Sequence, residues 1–219
     1  YPEPEASLEV AQAAKYDLVA RKLALEPGHR LLDVGCGWGG MVMHAAEHYG
    51  ARALGVTLSR QQAEWAQKAI AERGLADRAE VRFLDYRDVP ESGFDAVSSI
   101  GLTEHIGRRQ LGSYFTRLAE KLRPEGRLLN HCITRPTTRE RARAGGFIDR
   151  YVFPDGELLG VGTIVSSMQN HGFEPRHEEN LREHYAMTCR DWGTNLETNW
   201  EEAVAEVGLR RARVWQLYI

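Results

Sequence analysis

The chain has 219 residues, of which 28 are Lys or Arg and 31 are Asp or Glu, so its formal net charge is −3. This length suffices for one domain with a substantial core, and the near balance of charge excludes a general affinity for polyanions such as nucleic acids. Cys36, Cys132 and Cys189 are widely spaced and odd in number, which favours reduced thiols in a cytoplasmic protein over a disulfide framework. No apolar run approaches the ~20 residues that span a bilayer, and no signal peptide is recognisable.

Helix and strand patterns alternate along the first part of the chain. A helix is predicted over 6–24 from apolar residues at helical spacing, and Pro27-Gly28 follows its end. The predicted strands cover 30–35, 51–57, 79–84, 94–100 and 127–133, and the helices between them cover 39–48, 60–73 and 108–122. This alternation predicts an α/β fold with a doubly wound, mostly parallel sheet.

A glycine-rich turn, RLLDVGCGWGG (30–40), follows the first predicted strand. Strand, tight glycine turn and helix form the entry unit of doubly wound folds, where glycines let the backbone approach a ligand. An NAD-binding fold would place an acid about 20 residues further on, but the second strand, 51–57, ends without one. A phosphate loop of the Walker type would need G-K-[ST], which is absent. The turn instead resembles motif I of the class I S-adenosylmethionine (SAM) methyltransferases.

The regular alternation ends after residue 133. The stretch 134–147 carries four arginines against a single acid, which indicates a solvated loop or, alternatively, a lid or a contact for an anionic head group. A helix is then predicted over 159–171 and a strand over 172–178. Because the chain begins on Tyr1 and stops within a helical pattern, both ends are expected to be missing, together with the last, antiparallel edge strand of this fold class.

Helical structure is also predicted from about residue 189 onward. Apolar side chains recur there on one face, which is more typical of core packing than of a cofactor site. The residues of this stripe are Trp192, Leu196, Trp200 and Val204.

Six stretches together resemble the cyclopropane fatty acid synthase family, including its mycolic-acid relatives. They are AQAAKYDLVARKLALEPGHRLLDVGCGWGG, GVTLSRQQ, FDAVSSIGLTEHIG, LRPEGRLLNHCI, DRYVFPDGEL and EHYAMTCRDW, in the family's order. The segment SSIGLTEHIG is similar to the actinobacterial branch, some of whose members form methylene- or methyl-branched products. The resemblance implies a single methyltransferase domain with a Rossmann-like sheet of the seven-stranded type. Within it, 1–28 would be an N-terminal helical segment, 29–133 the SAM-binding core, and 134–219 a helical lid and acyl-substrate region.

The resemblance also implies a set of residues around the cofactor. They are Asp33, Gly35, Gly37, Gly39, Thr57, Leu58, Gln62, Tyr86, Arg87 and Ile100, with Gly101 nearby. The end of the second strand would lie at the ribose, where the family uses Thr and Gln in place of an acid. That agrees with the carboxylate missing after the second strand. Tyr86 and Arg87 would lie by the adenine.

Three further residues, Glu104, His131 and Tyr185, match family positions that hold a bicarbonate ion in the active site. A family cysteine that touches this ion would precede Tyr1. Taken singly, the three have ordinary explanations: an acid near a helix start, a core histidine and a packing tyrosine. Their joint match favours catalysis, with the acid either sharing a proton with the ion or positioning its hydroxyl, and the other two donating hydrogen bonds. Backbone N–H groups near Ile100 and Gly101 would complete the site.

The sequence therefore predicts SAM-dependent transfer of a methyl or methylene carbon to the cis double bond of an unsaturated phospholipid acyl chain. The product would be a cyclopropane or a methylene- or methyl-branched chain. The partner would be that lipid, met by a cytoplasmic protein at the inner face of the membrane, with no nucleic acid and no metal; a homodimer is left open. The alternatives are a small-molecule N- or O-methyltransferase of the same fold and a non-catalytic SAM- or lipid-binding subunit.

Overall fold

The computed structural model describes residues 1–138, 146–154 and 156–219. The chain divides into two compact units. The sheet unit comprises Lys15–Thr138 and Glu157–Pro175, and the helical unit comprises Tyr1–Ala14, Arg139–Gly156 and Arg176–Ile219. The single-domain organisation predicted from the sequence stays a prediction. Half of the arginine-rich stretch 134–147, interpreted as a loop or lid, lies outside the described residues.

Five parallel strands form the sheet, in the order β3-β2-β1-β4-β5. They are β1 Arg30–Val34, β2 Arg52–Thr57, β3 Ala79–Phe83, β4 Phe94–Ile100 and β5 Leu122–His131. The strand order reverses beside β1, which places a topological switch point, the usual ligand site of doubly wound folds, at its carboxyl end. The predicted doubly wound α/β fold is confirmed, although the described residues contain no strand after β5.

Helices connect and flank these strands. In the sheet unit they include α2 Gly40–Tyr49, α3 Arg60–Glu72, the single turn α4 Thr103–Ile106, α5 Leu111–Lys121 and α6 Val161–Asn170. α1 covers Leu8–Lys22, and the C-terminal helices are α7 Arg182–Thr198, α8 Trp200–Val207 and α9 Leu209–Tyr218. In the described part of the chain, no helix has the length and apolar character that crossing a bilayer requires.

The core lies on both faces of the sheet because successive strand side chains point in opposite directions. Leu31 belongs to the layer shared with α2 and α3, where it is buried with Val42. Leu32 belongs to the opposite layer, where Phe115 and Leu118 of α5 are fully buried. This two-sided burial explains why Leu31 and Leu32 are both apolar although they point to opposite faces.

Three sequence predictions about these elements are wrong. The segment 172–178 is irregular and not a strand: Gly172 has a φ of +92°, and Pro175 lacks the N–H that a strand ladder uses. β5 begins at Leu122 and not at Arg127, because a register shift between Phe94 and Ala96 of β4 accommodates the intervening residues.

The third wrong prediction concerns the apolar stripe from Trp192 to Val204. Asn199 separates α7 from α8, so that stripe does not continue along one helix. Trp192 remains 37% exposed, and no residue of α7 or α8 is buried. The stripe is therefore not a buried core.

Candidate functional site

The glycine turn leaves β1 at the switch point. Gly35, Gly37 and Gly39 have φ values of +71°, +55° and +77°, a left-handed conformation that residues with a Cβ rarely adopt. The N–H groups of Gly35 and Cys36 both donate to the carbonyl of Val56, at 2.9 and 3.0 Å, which fixes the turn against β2. A Cβ on Gly37 would meet no atom of the described residues within 4 Å. The turn is thus rigid on one side and open to a ligand on the other.

Asp33 lies beneath this turn and is only 3% exposed. Its Oδ1 accepts a hydrogen bond from the Ser98 hydroxyl at 2.6 Å, and Ser98 is its register partner on β4. Burial raises the pKa of Asp33 to about 7, although the Ser98 hydrogen bond and the charge of Lys15 act in the opposite direction. A carboxyl group that titrates near neutrality is suited to a cationic ligand, because a nearby positive charge favours its ionised form.

The end of β2 carries neutral polar groups in place of an acid. The Thr57 hydroxyl donates to Gln62 Oε1 at 2.9 Å and accepts from the Ser59 N–H at 3.2 Å. Ser59 also caps α3, because its Oγ accepts from the Gln62 N–H at 3.3 Å. Between them, the Leu58 side chain is 70% exposed and offers an apolar surface at the sheet edge.

The predicted adenine neighbours follow β3. The Tyr86 ring packs edge to face on the buried Tyr114 ring, with centroids 5.5 Å apart. Arg87 is exposed, and Asp85 holds it: the Arg87 backbone N–H and Nε both donate to Asp85 Oδ1 at 2.9 Å. These hydrogen bonds lower the pKa of Asp85, so it stays ionised. The Tyr86 ring is therefore held in place by Tyr114, and the Arg87 side chain is held by Asp85.

Glu104 lies on α4, directly after β4. Its Oε1 accepts a hydrogen bond from the Ile133 N–H at 2.6 Å. Its Oε2 is buried and has no hydrogen-bond partner among the described residues. An unpaired buried oxygen costs roughly 1–3 kcal/mol, more if charged, so a ligand that binds it is favoured.

His131 ends β5 opposite Ile100 of β4. Burial and the nearby charge of Lys15 lower the pKa of His131, which keeps the ring neutral at pH 7. Its Nδ1 is buried, again with no partner in the described ranges. The His131 carbonyl accepts from the Gly101 N–H at 2.8 Å. The sheet ladder therefore already uses the Gly101 N–H, and the expectation that backbone N–H groups near Ile100 and Gly101 complete an ion site stays a prediction.

Tyr185 lies on α7 in the helical unit. Its hydroxyl is 3.4 Å from that of Tyr218, and its ring packs edge to face on Trp192. Burial raises the pKa of Tyr185, so the hydroxyl remains protonated and able to donate. Its role with Glu104 and His131 stays a prediction.

The polar atoms of the sheet unit fit a small hydrogen-bonding anion. Four buried side-chain atoms of the described residues lack partners, and two of these are Glu104 Oε2 and His131 Nδ1. A neutral His131 protonated on Nδ1 would donate to an anion, and Glu104 would share a proton with it. Bicarbonate, which the sequence predicts here, has one hydroxyl and two further oxygens, and its binding stays a prediction. The described residues hold no cluster of three or more side chains fit to ligate a metal.

Sequence reasoning missed two polar residues around the glycine turn. Ser98 could have been found from the β1–β4 register, which places it opposite Asp33. Lys15, on α1, is a charged neighbour of both Asp33 and His131. No local motif marks it.

A glycine turn at the switch point, a buried carboxyl below it and an acid-free end of β2 on this parallel sheet define a class I methyltransferase fold. The comparison with known sequences is more particular. The chain belongs to the mycolic acid cyclopropane synthetase family, whose model matches residues 1–219.

Individual relatives agree with this assignment. The chain is 62% identical over 219 residues to a probable fatty acid methyltransferase of Mycobacterium tuberculosis, covering 100% of this chain and 51% of that protein. Its structure is similar to that of a cyclopropane synthase from Mycobacterium tuberculosis (TM-score 0.90, 32% identity, 98% of this chain and 79% of that one). A mycolic acid cyclopropane synthase complexed with SAH and CTAB gives a TM-score of 0.91 at 30% identity, over 100% and 80% of the two chains. The chain spans about half the length of the fatty acid methyltransferases it matches.

Proposed function

We propose that the protein transfers one carbon from SAM to the cis double bond of an unsaturated phospholipid acyl chain, giving a cyclopropane or a methylene- or methyl-branched chain. The observation that carries this proposal is the pair of unpaired buried atoms, Glu104 Oε2 and His131 Nδ1. Both residues follow or end strands whose carboxyl ends share an edge with the glycine turn. The names of the relatives, which include fatty acid methyltransferases and cyclopropane synthases, support a lipid acceptor.

The residues of the turn would bind the methyl donor. SAM supplies a methyl group that its positively charged sulfur already makes electrophilic. Asp33 would attract that positive charge in its ionised form, and the open face of Gly37 would let the backbone approach the ligand. Leu58 and Tyr86 would contact the adenosine. The protein therefore needs to bind and orient SAM, but it needs to do little to activate the methyl group.

The acceptor poses the greater difficulty. An isolated alkene is a weak nucleophile, so holding it in line with the methyl group carries much of the reduction in barrier. The attack leaves positive charge on the acyl chain, and a water-free pocket prevents water from trapping it. Loss of a proton from the new methyl group closes a ring directly, or leaves an exocyclic methylene group if a hydride has first shifted between the two former alkene carbons. Loss of a proton from a neighbouring chain carbon leaves a methyl-branched alkene, and a saturated methyl branch needs a separate hydride donor.

Glu104 and His131 would manage that proton. Bicarbonate, when bound, supplies a base at this site. His131 is kept neutral by its surroundings and would donate a hydrogen bond from Nδ1. Glu104, tied to Ile133 through Oε1, would hold a shared proton at Oε2, because two adjacent anions would otherwise repel. Tyr185 would donate a further hydrogen bond.

A transfer experiment tests this function. The protein is incubated with methyl-labelled SAM and vesicles of dioleoyl phospholipid, and the lipid is then saponified to separate acyl chains from head groups. We expect the label in the acyl fraction, with docking at the vesicle surface. Label confined to the head group, or transfer only to small amines and alcohols, would contradict the proposal.

A further inference from the structure

The helix that carries Glu104 is too short to be stable without contacts from the rest of the chain. α4 has four residues, Thr103–Ile106, and a single helical turn is unstable without outside contacts. Gly101 and Gly107 flank it with φ values of +75° and +74°, a conformation that glycine adopts readily. The orientation of Glu104 is therefore set by the groups that grip this turn from either side.

On one side, α4 is held by hydrogen bonds to β5 and to the residues that follow β5. The Thr103 hydroxyl donates to Asn130 Oδ1 at 2.6 Å, and Glu104 Oε1 accepts from the Ile133 N–H at 2.6 Å. Both bonds fix the face of α4 that lies against the end of β5. They do not contact the other side of α4 or its junction with the following turn, Arg108–Gln110. Other residues must hold that part.

On the other side, Glu157 forms two hydrogen bonds. Its N–H donates to the Glu104 carbonyl at 2.8 Å. Its carboxylate Oε2 accepts from the Arg108 N–H, also at 2.8 Å. One residue thus bonds to α4 at the Glu104 carbonyl and just past its end, across Gly107. A Cβ on Gly107 would lie 3.2 Å from Glu157 Oε2, so the glycine also leaves room for this carboxylate.

The segment around Glu157 is itself anchored. The Arg135 N–H donates to the Leu159 carbonyl at 2.9 Å, and Leu159 and Gly160 are buried. A Cβ on Gly160 would lie only 2.8 Å from the Thr137 carbonyl oxygen, so the segments around residues 137 and 160 are in close contact. The Glu157 side chain is exposed, but the segment that follows it is fixed, so Glu157 can serve as a brace for α4.

We propose that Glu157 is a positioning residue for the reaction proposed above: it holds α4 so that Glu104 presents its unpaired oxygen to the ion site. The catalytic part of this inference rests on the proposed function, and its structural part rests on the hydrogen bonds of Glu157 to Glu104 and to Arg108. Glu157 contacts neither donor nor acceptor. Its effect passes through the geometry of Glu104.

Kinetics of two substitutions at this position test the catalytic part. Glu157→Ala removes the acceptor for the Arg108 N–H, whereas Glu157→Gln keeps an acceptor oxygen at the same reach. Glu64→Ala, at an exposed glutamate of α3, is the matched control. For Glu157→Ala we expect kcat on oleoyl vesicles to fall about tenfold, with the KM and the Kd for SAM nearly unchanged, because misplacement of a catalytic group slows chemistry more than binding. Glu157→Gln should remain within about twofold of the unmodified protein, since one hydrogen bond is retained.

Amide hydrogen exchange tests the structural part without any turnover. Peptides covering residues 101–108 should exchange faster in Glu157→Ala and at the original rate in Glu157→Gln and Glu64→Ala. If the unmodified protein transfers no carbon to lipid, the proposed function fails and the exchange result alone decides on the brace. Unchanged exchange in Glu157→Ala, or an equal loss of kcat in Glu157→Ala and Glu157→Gln, would overturn the inference.

Discussion

Glu104 Oε1 accepts a hydrogen bond from the Ile133 N–H at 2.6 Å, two residues beyond His131. This bond fixes one carboxylate oxygen and leaves the other buried without a partner in the described parts of the chain. Oε1 is thus held by the fold, and Oε2 is the oxygen that the proposed function uses. The difference allows substitutions that separate folding from chemistry.

The first prediction concerns Glu104→Gln. The amide oxygen can still accept from the Ile133 N–H, so the fold and the affinity for SAM should be retained. An amide cannot share a proton as a carboxyl group does, so turnover on oleoyl vesicles should fall at least about 100-fold, as for loss of a general acid–base group. Steady-state kinetics and calorimetric titration with SAM measure the two effects. Full activity in this variant would remove Glu104 from the catalytic residues.

The second prediction concerns the open face of the glycine turn. Gly37→Val places a side chain where the described residues leave space, so SAM should no longer raise the melting temperature. Gly74→Val is the matched control, because Gly74 has a φ of +66° and is equally unobstructed by described atoms. Both variants incur backbone strain of about 1–3 kcal/mol. Stabilisation by SAM should survive only in the Gly74 variant, and its survival in both would argue against this turn as the cofactor site.

The third prediction links Asp33 to the pH dependence of SAM binding. A cationic ligand favours the carboxylate, so below about pH 7, where the buried group is protonated, binding should release a proton. Affinity should therefore decline as the pH falls below about 7 and level off above it. Calorimetry at pH 6 in buffers of different ionisation enthalpy counts the proton. Asp33→Asn should abolish the release, whereas an unchanged count would place the titrating group elsewhere.

The fourth prediction uses the same carboxyl to forecast stability without ligand. Because the folded pKa of Asp33 lies above its usual value of 3.8, the stabilisation it contributes is full below about pH 4 and is lost as the pH rises through about 7. Urea unfolding should show a steeper loss of stability over this range in the unmodified protein than in Asp33→Asn. Ser98→Ala removes a hydrogen bond that lowers the pKa of Asp33 and should shift the loss to higher pH. Parallel curves for the unmodified protein and Asp33→Asn would contradict the assignment.

The fifth prediction concerns the cap of α3. Ser59→Ala removes the acceptor of the Gln62 N–H and should lower the free energy of unfolding by about 1 kcal/mol. Ser113→Ala, at an exposed position of α5, should stay within about 0.5 kcal/mol. Denaturant titration compares the two. Equal stabilities would show that the Ser59 hydrogen bond contributes little.

The sequence predicted β1 to β4 to within about two residues because each is a short buried run between turn residues. It missed the start of β5, since Pro124 and Gly126 are ordinary stop signals and only the pairing of Leu122 with Phe94 extends the strand. The strand predicted over 172–178 failed because no neighbouring strand pairs with it among the described residues.

In the candidate site too, the sequence indicated some residues and not others. Glu104 and His131 were found because they belong to motifs that the family shares. Glu157 was not singled out, because its importance depends on a contact with α4 that is distant in the sequence. Local patterns can therefore point to candidate catalytic groups, whereas candidate positioning groups emerge only from tertiary contacts.

The location of the transferred carbon directly tests whether the protein modifies the double bond of an acyl chain. The protein is incubated with carbon-13 methyl-labelled SAM and vesicles of either oleoyl or stearoyl phospholipid, and ozonolysis with mass spectrometry locates the label along each chain. We expect labelled carbon at the former double bond of oleoyl chains, none in stearoyl chains, and almost none with Glu104→Gln. Label in stearoyl chains, in the head group, or at undiminished levels with Glu104→Gln would contradict the proposed function.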